Sequence, residues 1–291
     1  MRPSDPQVLE LQSWIQRRLG DFEGKIESVR LARTLDPRNP YWTTSLVSSL
    51  MMDHRYDEAS KEIESAPIED FELSVLHSML QLRDHRDPRR RLADLAALQS
   101  EYGMAAVPFE LWEAHIAARD FEGAVELLDS IEAADPPADD WTVFSVPDTD
   151  VARIITYGFL DARHRLGSLL EQARVKRDAA RVPDASRFVP NRHLELAFIT
   201  AVEGNAEEAE RLIRTWMREA AGDLAELTNQ RHYACRALGM AAASSAAVEC
   251  IRSALAEPSF VMPFIEPLMP YYDTIRTQPG FVELVAEIQA R

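Results

Sequence analysis

The chain has 291 residues, of which 46% are hydrophobic and 27% charged, a composition typical of a protein that folds around a buried core. Its formal net charge of −16 argues against a surface for nucleic acid or anionic lipid, because such surfaces need clustered positive charge. The first residues carry no basic stretch followed by an apolar run, and no window approaches the ~18 apolar residues of a membrane span. We therefore expect a cytoplasmic protein that binds neither nucleic acid nor membrane.

The composition and the first repeated stretches predict helices throughout. Only ten residues are glycine, alanine and leucine are abundant, and alternating runs of β-branched residues are missing, which favours an all-α fold. Three stretches share one order of residues: a polar turn, an aromatic, acids, and then an apolar face that ends near proline. They are GDFEGKIESVRLARTLDPRNP (20–40), RYDEASKEIESAP (55–67) and RDFEGAVELLDSIEAADPP (119–137).

The aromatic residues of these stretches indicate a period. Phe22 and Tyr56 are 34 positions apart, and Phe121 lies 65 beyond Tyr56, close to two further periods. A period of about 34 residues is that of a helix-turn-helix repeat. We predict that each aromatic begins the second helix of a pair. A small residue three positions later, Ala59 or Ala124, would let that helix approach the first, and proline would end it.

The helix before each turn is predicted to be amphipathic. Trp42, Leu46, Val47 and Leu50 recur at steps of three and four residues before the turn at Tyr56. One helix pair cannot bury such a stripe by itself, so each pair needs neighbouring pairs.

The pattern resembles the tetratricopeptide repeat (TPR) family. The stretch NPYWTTSLVSSLMMDHRYDEASKEIESA (39–66) has the family's bulky residue, its leucine followed by a small or apolar residue, its turn, and its aromatic-x-x-Ala. HLELAFITAVEGNAEEAERLIRTWMREA (193–220) is similar, with Ala206 in place of the aromatic. Looser copies lie at 71–102, 150–173 and 232–255. The resemblance implies one right-handed α-solenoid over 1–291, built of about six to seven TPR-like helix hairpins.

Three segments depart from the repeat. Residues 135–150 and 181–192 are polar and proline-rich, which predicts irregular loops. Residues 258–291 are broken by prolines and end in an amphipathic stretch, which predicts a C-terminal cap with a capping helix. This end resembles the TPR regions of bacterial multidomain signalling proteins that carry cyclase, kinase or winged-helix domains. The predominance of arginine over lysine likewise suggests a GC-rich bacterial genome.

The family resemblance also implies a partner-binding face. In TPR proteins the first helix of each pair lines a concave face along which ligand peptides lie. Carried onto this chain, that face would present Tyr41, Thr44, Ser48, Met51, Phe109, Glu113, Asn191, Leu194 and Phe198. A mixed apolar and polar face on an acidic protein favours a protein or peptide with basic or aromatic anchors.

The sequence predicts neither catalysis nor a cofactor. The seven histidines fit no metal-binding spacing, and the motifs of nucleophile elbows, P-loops and dinucleotide sites are missing. We therefore expect no catalytic residues and no bound metal. Cys235 and Cys250 lie in alanine-rich helical contexts and are predicted to be buried thiols rather than a redox pair.

Charge clusters leave several interpretations open. Residues 120–150 hold ten acids and no base, whereas 163–192 hold eight arginines or lysines. These segments could be solvated faces, pair within the protein, or support self-association. The arginines from Arg83 to Arg91 favour a charged helix face over a phosphate site. The leading hypothesis is a non-catalytic scaffold for a peptide or partner domain. The alternative is a regulatory or self-associating sensor module of a bacterial signalling protein.

Overall fold

The computed structural model describes residues 5–66, 71–103, 108–133, 148–179 and 192–290. Within these ranges fifteen α-helices and two short 3₁₀ turns follow one another without a strand, which confirms the predicted all-α fold. The helices are α1 (Pro6–Arg18), α2 (Phe22–Leu35), α3 (Pro40–Met52), α4 (Tyr56–Glu64), α5 (Phe71–His85), α6 (Pro88–Tyr102), α7 (Pro108–Ala118), α8 (Phe121–Ala133), α9 (Thr149–Phe159), α10 (Arg163–Ala179), α11 (Arg192–Val202), α12 (Ala206–Ala220), α13 (Leu224–Met240), α14 (Ser244–Ala254) and α15 (Pro279–Gln289). The 3₁₀ turns are η1 (Glu266–Leu268) and η2 (Pro270–Tyr272).

The predicted starts of the second helices are confirmed. Phe22, Tyr56 and Phe121 are the first residues of α2, α4 and α8. Ala59 and Ala124 are fully buried three positions later, as the close approach of paired helices requires. The period in the sequence therefore reports a real repetition of local structure.

One turn geometry recurs through the chain. The residue two positions before each second helix has a positive φ; these residues are Gly20, His54, Arg86, Arg119, Asp161, Gly204 and Ala242. In the turn before α4, for example, His54 N donates to Met51 O and Arg55 N donates to Leu50 O. This pair of bonds is the Schellman motif, which closes a helix and reverses the chain. Six of the seven described helix pairs have this turn, whereas the turn at Arg86 has the single bond from Arg86 N to Leu82 O that is typical of the αL motif.

Neighbouring helices pack against each other along the chain, and their buried faces form one large hydrophobic core and two small separate clusters. First helices also contact first helices of the next pair, as α3 contacts α5, α9 contacts α11, and α11 contacts α13. The largest fully buried side chains include Trp112 and Trp216. This packing buries the apolar stripes that a single pair leaves exposed.

The C-terminal part packs back onto the N-terminal helices, which the sequence did not indicate. Helix α13 contacts α1, and Ser259 N donates to Met52 O at the end of α3 at 2.8 Å. The ring of Phe264 lies edge-on to Tyr56, with centroids 5.0 Å apart. Helix α15, the expected capping helix, packs on α14. The proline-rich segment therefore bridges both ends of the fold in addition to preceding that helix.

The expectation of two buried thiols is wrong, because Cys235 and Cys250 form a disulfide. Both residues are buried, but they face each other across the α13–α14 pair with Cα atoms 5.4 Å apart. Their separation of 15 residues spans the turn of one helix hairpin. A single sequence could not reveal this facing position without the register of the pair.

Reducing the disulfide is expected to lower stability substantially. A crosslink that closes a loop of 15 residues contributes about 3 kcal/mol by restricting the unfolded chain. Urea denaturation of the oxidised protein, the reduced protein and Cys250→Ala measures this contribution. Equal midpoints for all three forms would show that the bond does not form in solution.

Gly239 on α13 lies where the C-terminal segment approaches the helix closely. A Cβ atom there would lie 2.4 Å from the ring of Tyr272 and 2.9 Å from the backbone oxygen of Tyr271. We expect Gly239→Ala to destabilise the fold by about 1–3 kcal/mol, as overpacking does. Gly167→Ala on α10 is the matched control, because nothing lies within 4 Å of its Cβ position, and it should stabilise by about 0.5–1 kcal/mol. Calorimetric melting of both variants tests the contrast, and a harmless Gly239→Ala would refute this packing.

Part of the opposite charge in the two segments is paired within the protein. Lys176 on α10 lies 2.6 Å from Asp150 and 3.3 Å from Asp148 at the start of α9. Arg153 on α9 lies 2.9 Å from Glu132 on α8. Residues 134–147 and 180–191, which include most of both predicted loops, lie outside the described residues. Of the three interpretations of these charged segments, namely solvated faces, internal pairing and self-association, internal pairing accounts for the described contacts.

Candidate functional site

A cavity of about 390 Å³ lies where the two ends of the fold meet. Its walls come from α1, α3, α5, α6, α7, α13 and the segment that leads into the 3₁₀ turns. All lining residues are buried or half-buried, so the cavity is a recessed concavity that is partly open to solvent. Much of its wall is apolar, formed by Met52, Val75, Met79, Phe109 and Met269. Methionine-rich walls adapt to ligands of different shape.

A buried ionic network forms the floor of the cavity. Arg236 on α13 donates through Nη2 to Glu266 at 2.8 Å and through Nη1 to Glu113 on α7 at 2.5 Å. The hydroxyl of Tyr272 donates to Glu266 at 2.8 Å, and that of Tyr233 donates to Glu113 at 3.3 Å. Three elements far apart in sequence are thereby tied together by one guanidinium.

Arg236 keeps its positive charge despite burial. Burial lowers the pKa of Arg236, but the carboxylates of Glu266 and Glu113 outweigh burial and raise that pKa well above its ordinary value. Burial raises the pKa of Tyr272, and the Glu266 carboxylate adds to the effect. Arg236 therefore stays a cation, and the neutral phenol stays a hydrogen-bond donor.

A second arginine in the wall is not neutralised in this way. Arg91 on α6 is only 4% exposed, and its buried Nε and Nη2 atoms find no hydrogen-bond partner among the described residues. Burial lowers its pKa, while the charges of Glu113 and Glu110 oppose that change. Burial in turn raises the pKa of Glu110. Arg91 is thus a desolvated donor that lines the cavity with its hydrogen-bonding edge unused.

Two more polar side chains in the wall have unused atoms. Gln230 Oε1 and His232 Nδ1 are buried and have no hydrogen-bond partner in the described part of the chain. Burial, with a smaller effect of the nearby Arg236 charge, holds the pKa of His232 well below its usual range. The imidazole is therefore neutral at physiological pH.

The buried neutral imidazole predicts acid sensitivity. His232 in the unfolded chain takes up a proton below about pH 6.5, whereas the folded form does not, so stability is lost as pH falls below that value. We expect wild type to lose up to about 2 kcal/mol more than His232→Phe between pH 7 and pH 5. Urea denaturation at both pH values measures the difference. Parallel losses in the two proteins would mean that His232 titrates normally.

The structure brings together some of the sequence-predicted residues and separates others. Ser48, Phe109 and Glu113 line the cavity. Tyr41 is 37% exposed and packs edge-on against Trp42, away from the cavity. The other described residues of the predicted face, Thr44, Met51, Leu194 and Phe198, are buried in the core. Asn191 lies outside the described residues.

The arginines of the site were not predicted, although one signal was present. Arg236 is the one charged residue in the alanine-rich stretch ACRALGMAAA (234–243). A lone arginine in such a context indicates a buried ion pair. Arg91 gave no such signal, since it follows the exposed Arg89 and Arg90 and was assigned to the same charged face.

Other classes of site are not seen in the described part of the chain. No cluster of three or more histidine, cysteine or acidic side chains there could hold a metal ion. The described helices also include none with the length and apolar character needed to cross a bilayer. Comparison with known proteins gives no match to a family model, a curated protein or a solved structure.

Proposed function

We propose that this chain is a non-catalytic binding module of TPR-like helix hairpins arranged as an α-solenoid. It would take part of a partner protein or peptide into the central cavity. The observation that carries the proposal is the convergence of Ser48, Phe109 and Glu113, three members of the predicted face, on one concavity. Concavities with mostly apolar walls and a few placed polar groups are the usual form of a binding site.

The ring of Phe109 suits it to be an apolar anchor point for such a partner. It stands at the start of α7, packs against Trp112 with centroids 5.8 Å apart, and approaches Tyr233 at 6.1 Å. The acidic charge of the chain as a whole favours partners with basic segments, which would be steered to the protein at low salt. This recognition would rely on a preformed shape.

The test is quantitative affinity capture from the source lysate with a cavity-blocking variant. Ser48→Trp places a large ring at the cavity, and Ser100→Trp on the exposed face of α6 is the matched control. We expect partners captured by wild type and Ser100→Trp to be lost from Ser48→Trp, provided circular dichroism shows that all three fold. Recovery of the same partners by Ser48→Trp would refute the cavity as the binding site.

The second candidate function is a regulatory sensor, favoured by the closure of the fold around the cavity. Arg17 near the N-terminus and Met269 near the C-terminus both line it, so occupancy would be coupled to the packing of the two ends. Light scattering tests the self-associating form of this idea. Dimers that grow with concentration would support it, and a strict monomer would remove it.

A further inference from the structure

The unused edge of Arg91 has a defined hydrogen-bonding geometry. Nε and Nη2 lie on the same side of the planar guanidinium, so their hydrogens point in parallel directions. This edge matches the two oxygens of one carboxylate, which it binds through two charge-assisted bonds. Both atoms are buried without a partner in the described residues, and Arg91 lines the cavity, so a ligand would reach this edge after neighbouring side chains of the wall shift.

The contrast with Arg236 shows why Arg91 is unusual. Arg236 is held by Glu266 and Glu113 from two sides, and each of its three nitrogens donates a hydrogen bond. Arg91 has no hydrogen-bond partner at Nε or Nη2 among the described residues, and the charges of Glu113 and Glu110 only partly offset the effect of its burial. A buried charge without a partner is costly, so evolution usually pairs it or removes it. A ligand carboxylate would supply the missing partner.

The remaining charges of the wall limit the ligand to a single negative charge. Glu110 and Glu113 lie in the same wall and repel anionic groups; the Arg91 guanidinium offsets this repulsion for one carboxylate, and a second would have no such partner. His232 is neutral and offers no second positive charge. Gln230 Oε1 is an acceptor and would also disfavour another carboxylate.

The apolar part of the wall indicates the chemistry and size of the rest of the ligand. Met79, Phe109 and Met269 would cover a hydrocarbon body. A volume of about 390 Å³ falls near the lower end of the range for small-molecule pockets, so the body must be short.

We propose that the cavity binds a small amphipathic monocarboxylic acid, with its carboxylate on the Nε and Nη2 edge of Arg91 and its apolar chain against the methionine-rich wall. The inference rests on the proposed function only in treating this cavity as a binding site. It adds the chemical class of the ligand and the residue that anchors it.

Titration calorimetry of the purified chain with four probes of equal length tests the ligand class. Octanoate has both the charge and the chain, octanol lacks the charge, octylamine reverses it, and octanedioate doubles it. We expect octanoate to bind one to one and roughly 10- to 100-fold more tightly than octanol, as expected for charge-assisted hydrogen bonds. Octylamine and octanedioate should bind more weakly than octanoate.

Variants of the arginine test the anchor. Arg91→Met should weaken octanoate roughly 10- to 100-fold, and Arg91→Lys should also weaken it because an ammonium lacks the two-pronged edge. Arg89→Met, which changes an exposed arginine of the same helix, should leave affinity unchanged. In the unliganded protein Arg91→Met should raise the melting temperature, because it removes a buried charge that has no partner.

The outcomes separate this inference from the proposed function. Equal octanoate affinity in wild type and Arg91→Met, preference for octylamine, or no octanoate binding would overturn the inference. A lower melting temperature for unliganded Arg91→Met would show that Arg91 is a structural group with partners, and would overturn it too. If octanoate fails while Ser48→Trp still abolishes partner capture, the ligand class is wrong and the binding module stands. If octanoate binds as expected but Ser48→Trp does not affect partner capture, the ligand class is right and the cavity is not the binding site for a partner protein.

Discussion

Arg236→Met is expected to destabilise the protein by about 3–5 kcal/mol, because it leaves two buried carboxylates without their counter-charge. Glu266 is 1% exposed as a side chain and Glu113 is 12% exposed, so neither can recover its hydration in the folded state. The guanidinium also lies over the rings of Tyr233 and Tyr271, whose packing it helps to fix. Urea denaturation at pH 7 measures the loss.

The matched control for Arg236→Met is Arg252→Met on α14. Arg252 pairs with Glu287 at 2.9 Å, but both side chains are nearly half exposed, so its loss should cost under about 1 kcal/mol. Replacing Glu113, Arg236 and Glu266 together with apolar residues should recover part of the loss, since no charge is then left unpaired. If Arg236→Met and Arg252→Met cost the same, the buried network does not exist as described.

Trp112→Ala is expected to lower the free energy of unfolding by about 3–5 kcal/mol, because it creates a cavity in the core. Trp112 on α7 is fully buried, and its Nε1 donates to Thr156 Oγ1 on α9 at 3.0 Å. The ring therefore joins two helix pairs by packing and by a hydrogen bond. Thermal and urea unfolding of the variant measure the effect.

Trp112→Phe serves as the control for ring loss. It keeps an aromatic ring in the core and gives up the indole nitrogen, so we expect less than half the loss of Trp112→Ala. A similar loss in both variants would place the effect in the hydrogen bond to Thr156 rather than in packing. Near-wild-type stability of Trp112→Ala would contradict the burial of this side chain.

The sequence allowed the repeated local structure to be predicted because its signals are local. Phe22, Tyr56 and Phe121 begin helices where the period places them, and Ala59 and Ala124 are buried as their size suggested. Turn residues and helix starts depend on a few neighbouring positions, so one sequence carries them. The resemblance to TPR proteins remains a prediction, since the comparisons match nothing.

The parts that escaped prediction depend on contacts between distant segments. Glu113 was chosen as a residue of an open face, yet it lies against Arg236, 123 positions away. Arg91 shares its sequence context with exposed arginines but faces the interior, because the helix turns it toward the cavity. The disulfide likewise depends on how α13 and α14 face each other. Periodicity predicts which face of a helix is buried, but it does not predict which distant segment packs on that face.

The central claim is that the C-terminal segment closes against the N-terminal helices and so forms the cavity. Residue-resolved hydrogen exchange of the Ser259 amide tests it most directly, because this buried amide donates to Met52 O across the closure. We predict that it exchanges as slowly as the amides inside α3, since both open only when the core opens. Exchange at the rate of an unprotected amide, while α3 stays protected, would show that the segment is detached and would contradict a cavity formed by this contact.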